Sequence, residues 1–277
     1  MKRVILLLPM LILSVLVVNQ AMGQEDIVDR LSVAFSDPGK PGVLEVGLVN
    51  GGIAVTGYDG REVVVEAKTR MKKISRRKEE RAEGLIHIPV ATTGLTVEEE
   101  ENVMEIGTDS WKHTIDLEIQ VPINTSLKLH CVNHGDIKVE NVNGEIEVNN
   151  VNGKVTLLDI SGAVVAHALN KDLVVTMKEI LPDKAMSFST LNGDIDVVFP
   201  PDLRANVKLK ADNGDVYSDF EIQLSREPKQ VVEENTRDRG GKYKVRIDRT
   251  INGTINGGGQ EILFKSFQGD IFIRKGE

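Results

Sequence analysis

The sequence predicts an all-β protein, a β-solenoid or flattened β-roll of short repeats, and three observations lead there. Gly135, Gly144, Gly153 and Gly162 recur every nine residues, and Lys171 falls on the next beat. Apolar residues stand two before these beats (Val142, Val151, Ile160, Leu169) and two after (Ile137, Ile146, Val155, Val164, Leu173). Small or apolar residues stand four after (Val139, Val148, Leu157, Ala166, Val175). Aligning Asn133, Asn192 and Asn213 also aligns the residues before them: Leu127, Leu129 and Cys131 with Met186, Phe188 and Thr190, and with Val207, Leu209 and Ala211. The repeat is therefore longer than nine residues and contains a whole preceding strand. Two beats per turn give a coil of about 18 to 22 residues.

Asn-Gly between alternating apolar residues is ordinarily a hairpin signal, and an antiparallel β-sandwich is the alternative fold. Side-chain phase speaks against it. A two-residue hairpin at Asn143-Gly144 pairs Val142 with Glu145 on one face and wastes the apolar residue before every glycine. A bend between two sides of a coil turns both Val142 and Ile146 inward. Glycine suits such a corner because it tolerates positive φ, and asparagine tolerates the left-handed region better than most residues. Asparagines stacked at the corners are expected to form ladders.

Taken in order, residues 1–23 read as a signal peptide. Lys2 and Arg3 are basic, Val4 to Val18 is apolar, and Ala21-Met22-Gly23 supplies a small-x-small cleavage site. The apolar run is short of the roughly 20 residues of a spanning helix. No later stretch is apolar enough to cross a bilayer, so no transmembrane segment is expected after signal removal. Residues 24–42 read as a leader segment with the turn-rich Asp37-Pro38-Gly39-Lys40-Pro41-Gly42. Residues 43–277 read as a single β-repeat domain with charged excursions at 68–83 and 225–239. Ile115, Leu117, Ile119 and Val121 alternate as a strand ending at Pro122, and Tyr243, Val245 and Ile247 mark another. Residues 251–259 read as a glycine-rich bend, and Gly269-Asp270-Ile271 restates the opening phrase.

The whole sequence carries a formal charge of −8; without Lys2 and Arg3, 32 basic residues face 42 acidic ones, a net −10. That balance opposes a nucleic-acid partner, whose footprint is a basic face. Cys131 is the only cysteine and falls in phase with Leu127 and Leu129, as a buried thiol does. The repeats depart from calcium-binding β-rolls because one glycine is usual and the acid follows it directly. The five histidines (His87, His113, His130, His134, His167) lack zinc-ligand spacing, and there is no nucleophile elbow or phosphate-gripping loop. Asp136, Asp194 and Asp215 are candidate acids or bases, but their recurrence after a turn glycine marks a corner position; no catalytic, cofactor-binding or metal residue is assigned. Aromatic residues are few, with Trp111 the only tryptophan, which weakens a carbohydrate-binding reading.

Three phrases carry a family resemblance: Asn50-Gly51-Gly52-Ile53-Ala54-Val55, the tandem Asn-Gly phrases from Asn133 to Leu157, and Asn192-Gly193-Asp194-Ile195-Asp196-Val197. Across most of 43–273 the chain resembles a bacterial envelope family of adhesin-like proteins with β-strand repeats, a domain of unknown function. The resemblance implies an exported β-solenoid, with adhesion as a label, and supplies no catalytic residues. The expectation is thus an exported non-enzymatic protein, periplasmic, cell-surface or extracellular, without cofactors, contacting an unknown envelope or surface macromolecule. The alternatives are a polysaccharide-active enzyme on a β-helix and a periplasmic sensor or assembly component.

Overall fold

The computed structural model describes residues 28–70, 93–109, 113–225, 231–235, 243–247 and 250–277. The signal-peptide reading and most of the first charged excursion lie outside the described residues. Twenty-two strands are present among those described, numbered along the chain, and there is no α-helix. Twenty strands form one hydrogen-bonded sheet that folds over on itself into two walls joined through β11 (Val155–Ala168).

The first wall runs rung by rung through β5 (Leu95–Glu100), β6 (Val103–Thr108), β2 (Gly42–Asn50), β8 (Thr125–Asn133), β10 (Asn143–Asn150) and the C-terminal half of β11. It continues through β13 (Met186–Asn192), β21 (Gln260–Gln268), β15 (Ala205–Asn213), β20 (Ile251–Ile255) and β17 (Ile222–Leu224). The second wall runs through β1 (Val28–Ala34), β4 (Glu62–Arg70), β7 (Thr114–Pro122), β3 (Ile53–Tyr58), β9 (Ile137–Glu140) and the N-terminal half of β11. It ends with β12 (Leu173–Ile180), β14 (Ile195–Phe199), β22 (Ile271–Lys275) and β16 (Val216–Ser218). Pairing is parallel through the middle of both walls and antiparallel only toward their ends, as in β1–β4–β7 and β15–β20–β17. The solenoid reading is the correct one, and partners on neighbouring central rungs are 18, 19 or 22 residues apart (Asn143 with Ser161, Ile146 with Leu127, Leu173 with Ile195).

Alternation along each strand sends one set of side chains between the walls. Residues two and four after the beats are buried throughout, including Ile137, Ile146, Val155, Val164 and Leu173. The aligned residues before Asn133, Asn192 and Asn213 do occupy matching rungs, and Phe188, Phe199 and Phe264 meet in the core with centroids 5.3 to 6.2 Å apart. Sequence order and rung order part at both ends. The rung between Asn192 and Asn213 belongs to Gln268, so the β21–β22 coil slots between the β13–β14 and β15–β16 coils. At the other end β2 lies between β6 and β8 and β3 between β7 and β9. Each of these coils comes from one end of the described chain.

The nine-residue beat hides two different corners. At Gly144 and Gly162 the chain enters the first wall, and Val142 and Ile160 before them are buried. At Gly135 and Gly153 it leaves that wall, and the matching apolar residues point outward, with Leu169 43% exposed. The reason for glycine also differs from the sequence expectation. Of these four, only Gly162 has a left-handed φ (128°). All four face the backbone of the adjacent coil: a Cβ at Gly135 would meet the Gly51 carbonyl carbon at 2.2 Å, and one at Gly153 the Gly135 oxygen at 1.9 Å. The positive φ is carried instead by residues such as His134 (64°) and Asn141 (55°).

Three outer segments complete the picture. Residues 28–34 of the leader stretch form β1 on the edge of the second wall. The second excursion contains β18 (Val231–Asn235), which pairs with β19 (Tyr243–Ile247) in a separate hairpin. The glycine-rich bend is strand β20 followed by a tight turn, with Asn256, Gly257 and Gly258 all at positive φ.

Candidate functional site

The corner acids take structural roles. Asp116, Asp136, Asp172, Asp194, Asp270 and Asp215 occupy one file where coils pass from the first wall to the second, shared with Gly52 and Lys154. In all but the last, Asp215, Oδ1 accepts a backbone N–H from the neighbouring coil: Gly52 to Asp116 (2.8 Å), Lys154 to Asp136 (2.8 Å), Asp194 to Asp172 (3.2 Å), Asp270 to Asp194 (2.8 Å) and Asp215 to Asp270 (2.9 Å). Beside them Asn152, Asn170 and Asn192 each donate from Nδ2 to Oδ1 of the asparagine one coil away, at 2.7, 2.9 and 2.9 Å, starting on Asn133. The expected ladder is present. Five of these acids thus tie one coil to the next, and Asp116 also pairs with Arg70 Nε at 2.5 Å.

Cys131 lies inside that corner, buried, its thiol donating to the Gly51 carbonyl at 2.9 Å. Burial pushes its pKa up to about 11 from 9.0. The neutral thiol is retained in the fold, so stability is full below pH 9 and falls as pH rises from 9 towards 11, where an unfolded chain ionises and the folded one does not. Native protein at pH 8 is expected to resist an aromatic disulfide reagent and to react once unfolded; equal rates in both states would contradict this burial.

What remains is the outer surface of the first wall. Two rows of outward residues cross its rungs. Nearest the corner run Val49, Val132, Val151, Leu169, Leu191 and Phe267, brought into line from across the chain; Val49, Leu169, Leu191 and Phe267 are 53, 43, 39 and 44% exposed. Beside them run Gly47, His130, Asn149, His167, Ser189, Lys265 and Lys210. The two rows bound a groove of about 560 Å³ between β8 and β15. In it His167 Nδ1 contacts Ser189 Oγ, and burial, then Lys265, holds the His167 pKa below its ordinary value, so the ring is neutral at pH 7. His130 and His167 share a row but lie two rungs apart. His134 instead bonds Asn50 at the corner (3.0 Å), and His87 and Trp111 lie outside the described residues.

At the other end of the same wall a hollow of about 490 Å³ brings together Glu45, Glu98, Glu105 and Glu147 over Gly47 and Gly107. Lys128 Nζ reaches Glu45 Oε1 at 2.6 Å. Glu98 and Glu105 are direct cross-strand neighbours, an arrangement that costs stability between like charges. The sequence held no local sign of the full cluster, since Glu45 and Glu147 come from strands far along the chain from β5 and β6. Among the described residues no group of histidine, cysteine and acidic side chains is placed to hold a metal ion. Nor is any helix there long and apolar enough to cross a membrane.

Comparison with known proteins now places the chain. The model of the Toastrack DUF4097 family matches residues 95–256. The chain belongs to the Toastrack DUF4097 family. The match spans β5 to β20 and so leaves out the two intercalated coils, β2–β3 and β21–β22, which pair with Toastrack strands on both sides. A solved structure from Clostridium sporogenes, provisionally named a cell adhesion protein, is 12% identical, covers 91% of this chain and 100% of its own, and has a TM-score of 0.52. It shows the same fold. A structure from Bacteroides fragilis, provisionally named an adhesin, is also 12% identical with 91% and 98% coverage; its TM-score of 0.32 carries no argument. No curated protein matches.

Proposed function

We propose that this Toastrack chain is an exported, non-enzymatic protein of the cell envelope that uses the outer surface of the first wall to contact a macromolecule. The observation that carries the reading is the row of exposed apolar residues through Leu169, Leu191 and Phe267. A solvated sheet face has no need of such a row, and aligned exposed apolar side chains mark contact surfaces. The largely polar row beside it supplies the rim that specific interfaces have. The cell-adhesion name of the Clostridium sporogenes neighbour agrees with this reading.

One observation favours an enzyme, the convergence of Glu45, Glu98, Glu105 and Glu147 away from the corners. Glu98, Glu105 and Glu147 are all exposed, and no aromatic residue lines their hollow. An open hollow of exposed carboxylates lacks the water-excluding enclosure of a catalytic site, so the contact reading is preferred.

The test immobilises residues 24–277 and a Leu169→Asp/Leu191→Asp variant and incubates each with envelope extract. The expected result is a captured component lost in the variant while its circular dichroism is unchanged. Identical capture by both removes the first wall from the function. Release of reducing sugar from envelope polysaccharide, abolished by Glu98→Gln/Glu105→Gln, would install the enzyme instead.

A further inference from the structure

We infer that the macromolecule held by the first wall is a second copy of this chain, packed face to face about a two-fold axis parallel to the strands. The inference rests on the contact surface proposed above and names its occupant. Three features of the wall require the same operator.

The first is charge. Outward residues at the β5–β10 end include Glu98, Glu105, Glu45, Glu145 and Glu147 against Lys128, whereas the other end carries Lys208, Lys210 and Lys265 against Glu261 and Asp212. The face is strongly acidic at one end, while at the other lysines outnumber acids by one, Lys208 pairing with Glu261 at 2.6 Å. Rotation about an axis along the strands, placed between β10 and β11, reverses the order of rungs and lays each end on its opposite.

The second is the apolar row. That rotation leaves position along the strand unchanged, so the row that includes Leu169, Leu191 and Phe267 faces its own copy. Val49 falls opposite Phe267, and Val132 opposite Leu191. An axis along the solenoid would instead set acid on acid, and it would part the two rows to opposite edges.

The third is a pair of glycines that packing does not explain. At the corners, glycine is forced by backbone contact, but a Cβ on Gly47 would meet nothing within 4 Å, and one on Gly107 only Thr96 Oγ1 at 3.5 Å. Glycine inside a strand weakens it and marks a place where another group approaches closely. Under the same rotation Lys265 falls opposite Gly47 and Lys210 opposite Gly107. Each long side chain enters the hollow, among Glu45, Glu98 and Glu105, and relieves the like-charge rungs there. Eight rungs of about 4.8 Å spacing and about seven residues of strand give roughly 900 Å² per partner, close to the size of a standard specific interface.

Sedimentation equilibrium of purified residues 24–277 tests this without any envelope component, and so separates its failure from failure of the capture experiment. The expected result is a reversible dimer that weakens as salt is raised. Gly47→Val/Gly107→Val fills the hollow with residues that favour strands, and should raise the dissociation constant at least ~10-fold while leaving thermal unfolding of the monomer unchanged or improved. Lys210→Glu/Lys265→Glu and Glu98→Lys/Glu105→Lys should each be monomeric alone and form a heterodimer when mixed. A wild-type chain that stays monomeric at low salt overturns the inference. So does a dimer untouched by the glycine and charge variants, because it must use another surface.

Discussion

A chain ending at Asn256 is expected not to fold. Its missing residues, 257–277, contribute no cap that can be shed; they fill a slot. β21 is hydrogen-bonded on both sides, to β13 and β15, and β22 likewise to β14 and β16. Removing them takes Ile262, Phe264, Ile271 and Ile273 out of the core. At about 1.5 to 3 kcal/mol for each buried side chain, the loss is about 6 to 12 kcal/mol. That rivals the whole stability of an ordinary domain, about 5 to 15 kcal/mol. The gap also leaves four strand edges unpaired, in two facing pairs, so the expected product is aggregated or proteolysed material. Deleting residues 28–34 is the matched control: β1 pairs only with β4 and contributes no fully buried side chain. Urea unfolding followed by circular dichroism decides it, and a cooperative transition of undiminished midpoint in the longer deletion would refute the slot.

Gly153→Ala is expected to cost about 3 kcal/mol, at the top of the range for overpacking. The new methyl would sit 1.9 Å from the Gly135 carbonyl oxygen and 2.6 Å from Asn150 Nδ2. Neither neighbour has room to yield. Asn150 is buried and already donates to Gly135 O at 3.1 Å and Lys154 O at 3.3 Å, while accepting from Gly153 N at 3.1 Å. Pushing the coils apart therefore breaks these bonds as well as the steric fit. The same substitution at Gly47 meets open space and should stabilise the chain by about 0.5 kcal/mol, because glycine in a strand is less favourable than alanine. Opposite shifts of the two urea midpoints are the signature. A similar small change in both would mean that corner glycines serve backbone freedom, as the sequence alone suggests.

The contrast between these glycines shows where sequence reasoning reached and where it stopped. Alternation along a strand is local, so the inward residues of each rung and the coil length were legible from Ile137 to Val175. Asparagine at fixed spacing likewise foretold the ladder on Asn133, Asn152, Asn170 and Asn192. The two corners were not separable, because Leu169 and Ile160 hold the same place in the nine-residue phrase while facing opposite sides of the wall. Rung order at the ends was hidden for a different reason. Nothing local in Asn192 or Asn213 says that Gln268 lies between them; that pairing is chosen by the shape of the finished core. The first-wall surface shares this difficulty. Val49, Leu169, Leu191 and Phe267 become a row only when coils stack, and Gly47 and Gly107 become a hollow only when β2 and β6 pair.

The corner bonds also have a direction. Asn152, Asn170 and Asn192 all donate towards the β8 side, and Asp136, Asp172, Asp194 and Asp270 all present an acceptor oxygen to the coil on the β16 side. The amide dipoles therefore add head to tail along the solenoid, each polarising the next, in the manner of peptide dipoles in a helix. Turning one amide over sets donor against donor on one side and acceptor against acceptor on the other, so the file holds or fails as a unit. A stack of parallel coils has the outline of a rod with interchangeable ends. This one is a vector, with hydrogen-bond donors directed to one end and acceptors to the other.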